Sequence, residues 1–277
     1  MLPDNRKYAI ITGASQGLGK LYAFELAKMG YPLLLVAKGN EGLCQLSKLI
    51  EKKYQVPVHY FETDLTKFHC LKELVNWINN NYAVKLLINN AGVGVTEKFG
   101  VASIDLINKI IKLNIRAVSF ITHELLPNLL RTEGKSYVLN VSSMAAFCPM
   151  GYKLVYPASK KFIQHFSEGL NYELKNENIS VATVFPGPME TNSNVSARIK
   201  SQGFMVGLMV QPPEKVARIS IEKLFKGKTF ILVGFLNKIN YLLLKIIPTF
   251  IIAPLMMKRL EKEINLKPTL HAARLLD

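Results

Sequence analysis

The chain has 277 residues, 49% of them hydrophobic and 20% charged, with a formal net charge of +15. That is ample apolar material for a large core and leaves little room for extended disorder. The basic excess brings nucleic acid to mind, but the lysines form no stripe and no nucleic-acid motif is present, so an anionic cofactor or an anionic membrane surface is the better-motivated partner.

The N-terminal stretch MLPDNRKYAI lacks an apolar h-region, which speaks against a signal peptide and for a cytoplasmic location. From there the chain alternates short β-rich runs with longer helical ones. Strands are expected at Lys7–Thr12, Pro32–Ala37, Pro57–Phe61, Lys85–Asn90, Ser136–Ser142 and Ile179–Phe185, with a last one at Lys228–Val233. Most are near-continuous apolar runs, as strands buried on both faces are. Helices are expected over 17–29, 41–54, 67–81, 103–130 and 155–176, and another opens at Pro212-Pro213-Glu214, with proline in its first turn. Strand–helix alternation implies right-handed βαβ units. The expected fold is α/β: a Rossmann-type, doubly wound parallel sheet of about seven strands with helices on both faces, followed by a C-terminal helical extension. One catalytic domain would span 1–233, with a lid over about 189–212 and the extension over 234–277. Cys44, Cys70 and Cys148 form neither a disulfide framework nor a zinc pattern, and the five histidines show no ligand spacing, so no metal is expected.

The first strand runs into TGASQGLG, Thr12 to Gly19, and a helix follows. Gly13, Gly17 and Gly19 suit a sharp turn, close approach to a pyrophosphate and tight helix–strand packing. The helix N-terminus offers free N–H groups to phosphate. Ser15 and Leu18 lie in the same loop. About 20 positions beyond, where an acidic residue would bind a ribose 2′-hydroxyl, stands Lys38. A cation there can pair with a 2′-phosphate, and Ser15 can donate a hydrogen bond to it. NADP(H) is therefore the preferred cofactor, with NAD(H) the alternative.

The spacing TG-x3-G-x-G resembles that of the short-chain dehydrogenase/reductase family, and the resemblance extends from about Lys7 to Val233. It implies several further roles. Asp64-Leu65 would lie at the adenine. Asn89-Asn90-Ala91-Gly92 would steady the sheet and wall the adenosine pocket. The backbone at Pro186-Gly187 would contact the nicotinamide amide, and Thr191 would bond the carboxamide or a phosphate. Tyr156 and Lys160, in YPASK, match the family's catalytic pair and also count among its cofactor contacts; at i and i+4 they share a helix face. A free tyrosine has a pKa near 10, so proton exchange near neutrality needs about 4 kcal/mol of preferential phenolate stabilisation, which a nearby ammonium favours. Ser143, 13 residues before Tyr156, matches the family's serine better than Ser142 does. Asn114 matches the fourth member, which would hold a water linking Lys160 to solvent.

Residues 229–257 form the most apolar part of the chain, but the longest uncharged run, Ile246–Met257, has 12 residues. About 20 are needed to cross a bilayer. On a helix, Phe235, Leu236, Ile239, Leu242, Leu243, Ile246 and Ile247 share one face and Asn237, Lys238, Asn240 and Lys245 the other, with Leu244 an exception. Such a helix can pack on the core or a second subunit, wall a lipophilic pocket, or lie peripherally on a membrane through 234–262. From Val195 onward 14 Lys/Arg face 5 Asp/Glu, a net +9 of the +15. The leading functional expectation is an NADPH-dependent reductase of a lipophilic ketone or aldehyde, working as a homodimer or homotetramer. The alternatives are a 3-oxoacyl reductase of lipid metabolism, with membrane association open to it, and a nucleotide-binding scaffold without turnover, which would have no use for Asn114, Ser143, Tyr156 and Lys160 together.

Overall fold

A computed structural model describes residues 6–190, 207 and 209–265. Seven strands form one parallel sheet: β1 Lys7–Thr12, β2 Leu33–Ala37, β3 Val58–Glu62, β4 Ala83–Asn89, β5 Ser136–Val141, β6 Ile179–Phe185 and β7 Phe230–Leu232. Their order is β3-β2-β1-β4-β5-β6-β7. The chain builds outward from β1 to one edge, returns to the middle, and builds outward from β4 to the other. The β1/β4 seam is thus the topological switch point, where a doubly wound sheet leaves a crevice beyond its strand ends.

The helices between strands are α1 Gly17–Lys28, α2 Leu43–Tyr54, α3 Phe68–Asn81, α4 Ile104–Ile111, α5 Val118–Arg131, α6 Val155–Glu173 and α7 Pro213–Phe225. Apolar residues of α1, α2 and α7 fill one face of the sheet, and those of α3 and α5, with the end of α6, fill the other. Every residue of β2 and β6 is buried, which explains the unbroken apolar run of β2 and the mainly apolar run of β6, where only Ser180 and Thr183 are polar. β3, at the edge, exposes His59, Tyr60 and Glu62. Truncating a fully buried leucine such as Leu35 to alanine costs about 2–5 kcal/mol in such a core.

Three expectations change. β4 begins at Ala83, two residues earlier than its apolar run suggests, because the side-chain carbonyl of Asn128 accepts from the Val84 amide (2.9 Å) and β4 pairs from Lys7↔Ala83. β7 is only three residues long. The helix expected over 103–130 is interrupted by one π-helical turn, Lys112–Ala117, between α4 and α5. Such turns widen the helix by one residue and recur at functional sites; this one contains Asn114.

After β7 come α8, Phe235–Ile246, and α9, Thr249–Asn265. α8 is amphipathic, as its sequence pattern requires, and the side that carries Asn237 and Asn240 turns inward while Lys238 and Lys245 stay exposed. Asn237 is fully buried; Tyr241 and Leu244 pack on a cluster of Met144, Ala146, Phe185 and Leu232. The stripe with Phe235, Leu242 and Ile246 faces outward. Among the described residues no helix is long and apolar enough to cross a membrane.

Candidate active site

The turn after β1 forms because glycine tolerates its backbone. Gly13 and Gly17 have φ of +66° and +53°, in the left-handed region. A Cβ on Gly19 would collide with the Gly13 carbonyl oxygen and come within 2.5 Å of the Asn90 amide nitrogen. Gln16, at the N-cap of α1, makes no side-chain capping bond, so the first amides of α1 stay available to an anion. Asn90 clamps the turn to β4: its side-chain amide donates to the carbonyls of Thr12 (2.9 Å) and Gly13 (3.1 Å), and its backbone amide donates to Thr12 Oγ1 (3.0 Å). Asn89 works inside the sheet, donating to Thr122 Oγ1 (2.9 Å) and Asn140 Oδ1 (2.8 Å).

This turn borders a cavity of about 470 Å³ lined also by Ser15, Lys38, Glu41, Asp64, Leu65 and Ala91. Asp64 does not cap α3, whose N-cap is Lys67. It accepts instead from the Thr66 amide (2.9 Å) and hydroxyl (2.7 Å), with Lys38 Nζ 3.9 Å away. Burial works to raise its pKa; the bonds from Thr66, backed by Lys38 and Lys67, outweigh burial and leave it below the usual carboxylate value. Ser15 donates its hydroxyl to the Glu41 carboxylate (2.5 Å). A 2′-phosphate drawn to Ser15 and Lys38 would therefore meet Glu41, a residue the sequence reading passed over.

A second cavity, about 480 Å³, adjoins the first; Leu18, Asn90, Gly92 and Val93 line both. Here β5 and α6 deliver the expected catalytic residues. Tyr156 and Lys160 share one face of α6, with Lys160 Nζ 5.8 Å from the tyrosine ring centre. Lys160 is buried and donates to the Val141 carbonyl (2.8 Å), and burial lowers its pKa to about 8. The two serines differ. Ser142 is buried and donates to the Lys160 carbonyl (2.7 Å), tying β5 to α6. Ser143 Oγ accepts from the Ala145 amide (3.1 Å) at the start of the 3₁₀ turn Met144–Phe147, which leaves its own proton to donate elsewhere.

Asn114 shows why the helix opens into a π turn. Its side-chain amide bonds both the N–H (2.9 Å) and the C=O (3.0 Å) of Val93, and also Ser159 Oγ (3.0 Å). It acts as a strand partner for the loop after β4. A Cβ on Gly92 would stand 3.2 Å from Lys160 Nζ and 3.3 Å from Asn114 Oδ1, so the bare glycine lets both groups approach one spot. Gly94, which the sequence reading missed, has the same relation to Tyr156: a Cβ there would lie 2.5 Å from Cδ2 of the ring.

Pro186 and Gly187 line the cavity, and the Pro186 carbonyl accepts from the Met144 amide (3.0 Å). Thr191 and most of the expected lid lie outside the described residues. The far wall comes from the C-terminal helices: Asn237, Asn240 and Leu244 of α8, Met256 and Leu260 of α9. Met144, Met150, Met189 and Met209 complete an adaptable apolar lining. Asn237 presses on Gly187 and donates to the carbonyls of Val233 (3.1 Å) and Met209 (3.3 Å). The sequence places it only on the polar face of the helix.

The family model for short chain dehydrogenases matches residues 7–202. The chain belongs to that family. Short-chain dehydrogenases bind NAD(P), in keeping with the glycine cradle. Among curated relatives, a very-long-chain 3-oxoacyl-CoA reductase of Anas platyrhynchos is 34% identical over 188 residues, 66% of this chain and 60% of that protein. The very-long-chain 3-oxoacyl-CoA reductase-B of Danio rerio is 33% identical over 184 residues, 65% of this chain and 58% of that protein. This short-chain dehydrogenase thus spans about three fifths of the length of these relatives. Among solved structures, a short-chain dehydrogenase from Sphingobium yanoikuyae in complex with NADPH aligns over 87% of this chain and 96% of its own, with a TM-score of 0.74 at 25% identity.

Proposed function

We propose that the chain is an NADPH-dependent reductase of a carbonyl group on a lipophilic substrate, with a 3-oxoacyl thioester as the favoured substrate class. The observation that carries this reading is the junction of the two cavities: a glycine-built anion cradle opens, through Gly92 and Val93, onto a methionine-lined space bordered by Tyr156, Ser143 and Lys160. The names of the 3-oxoacyl-CoA reductases among its relatives favour the acyl substrate. The residues fit a dinucleotide: bare glycines where a Cβ would intrude, uncapped amides at α1, and Lys38 at the cavity rim.

The bound nicotinamide would supply hydride to the carbonyl carbon. The protein's own residues handle the oxygen and its proton. Tyr156 gives its phenolic proton to the oxygen, and Ser143 donates a hydrogen bond as negative charge develops there. Lys160, charged in its buried seat, favours the tyrosinate left behind. Lys160 passes a proton on toward that tyrosinate and regains one from a water that Asn114, sharing the Gly92 site, would hold. Pro186 and Gly187, which line the cavity, would contact the carboxamide. The apolar lining excludes water and grips the chain of the substrate.

The cofactor preference rests on Lys38 and Ser15, and Glu41 opposes it at close range. Titrating NADPH and NADH by fluorescence checks both: NADPH should bind tighter, and Glu41→Gln should widen the gap. The function itself is tested by following NADPH oxidation across 3-oxoacyl thioesters and ketones of increasing chain length. Rising kcat/KM with chain length supports the reading; no turnover with any carbonyl leaves a nucleotide-binding scaffold.

A further inference from the structure

The setting of α8 poses a question of its own. At i, i+3, i+4 and i+7, Asn237, Asn240, Tyr241 and Leu244 turn inward, while the apolar stripe of the same helix turns to solvent. Phe235 and Ile246 are each 76% exposed, and Phe250 of α9 is 77% exposed, with Leu242 and Leu255 more than half exposed between them. Monomeric proteins rarely leave so large an apolar surface without a use. Lys238, Lys245 and Lys258 are exposed on the same two helices, and Glu261, their acidic neighbour, accepts a hydrogen bond from Tyr152 (2.9 Å).

We propose that the outer face of α8 and α9 docks flat on an anionic membrane surface. The charge decides between occupants. A second copy seated on this patch by two-fold symmetry would bring lysine toward lysine in a chain of net charge +15. Anionic lipid headgroups complement the same lysines, while the apolar stripe enters the acyl boundary. The helices lie on the membrane; neither is long and apolar enough to cross it. The inner faces of these same helices wall the methionine-lined cavity through Leu244, Met256 and Leu260. Docking therefore places the cavity wall against the bilayer, and a lipophilic carbonyl substrate passes between α8 and α9 without crossing water. That last step rests on the function proposed above; the docking does not.

The test is vesicle flotation of the full chain, which reads binding without turnover. Vesicles of phosphatidylcholine with phosphatidylserine are compared with phosphatidylcholine alone, for the wild type and for Phe235→Glu/Ile246→Glu/Phe250→Glu. All three side chains point away from the cavity, so an unchanged melting temperature verifies that the variant folds. The wild type should float with the anionic vesicles, and the triple variant should partition about tenfold less or weaker. Lys238→Glu/Lys245→Glu should lose only the preference for anionic lipid. Failure of the wild type to float, flotation of the triple variant equal to the wild type, or equal flotation on both vesicles overturns the proposal. So does a wild-type dimer that the triple variant splits while neither protein floats, which assigns the face to a second copy. NADPH oxidation with a short, water-soluble ketone is measured in parallel: its absence in both proteins counts against the function and leaves the flotation result standing.

Discussion

At the first turn the cavity is shaped by backbone, with Ser15, Lys38, Glu41 and Asp64 beside it. Gly13 and Gly17 hold positive φ, Gly19 yields its side chain to the Gly13 carbonyl, and Asn90 locks the turn. In the adjoining cavity the surface is side chain, gathered from segments far apart: Met144 and Met150 after β5, Met189 after β6, Leu244 and Met256 from the last helices. A backbone cradle tolerates little change and serves one constant ligand. A side-chain wall can change residue by residue and so admit different substrates. Tyr156, Lys160 and Ser143 stand where the two meet.

Four experiments break or sharpen that contrast. Tyr156→Phe should lower kcat by about 10³-fold while leaving NADPH affinity nearly unchanged, since only the proton is lost. Steady-state rates and fluorescence titration read the two effects separately, and undiminished turnover would remove Tyr156 from the chemistry.

Lys160 comes next. Its folded pKa is lowered to about 8 from 10.5, so the unfolded chain binds more protons between those values. The sign is therefore that stability of the cofactor-free protein rises with pH from about 8 to about 10.5. The gain from this residue is roughly 3 kcal/mol, and the penalty is fully present below pH 8. Urea melts of wild type and Lys160→Met across that range should show the slope difference, and parallel curves would refute the burial argument.

Gly94→Ala drives a methyl group into the tyrosine ring. A displacement of that size should cost about 10²-fold in kcat with cofactor binding retained; wild-type rates would show that the ring has room to shift. The smallest effect is at Lys38, two-thirds exposed, where alanine should weaken NADPH about five- to tenfold and NADH hardly at all. Equal losses for both cofactors would mean that Lys38 serves Asp64 rather than a phosphate.

The legibility of the two halves differs for a physical reason. Local geometry writes itself into local sequence. A turn needing positive φ shows as glycine, a doubly buried strand as an unbroken apolar run, and a one-face pair as Tyr156 and Lys160 at i and i+4. The sites that escaped notice depend on contacts between distant segments. Gly94 matters because α6 brings Tyr156 over it, and Glu41 because the β2–α2 loop folds back on Ser15. The π turn escaped because the Asn114 side chain bonds Val93, 21 residues away, a contact that no local pattern shows.

Sequence patterns show the parallel α/β sheet, the glycine-rich first turn and an amphipathic C-terminal helix, and the family resemblance supplies the set Asn114, Ser143, Tyr156 and Lys160. Periodicity gives a helix two faces but carries no information on which one meets the core. Tertiary structure alone decided that Asn237 turns in toward Gly187 and that Phe235 and Ile246 turn out, because that choice depends on what β7 and the segment after β5 present to the helix.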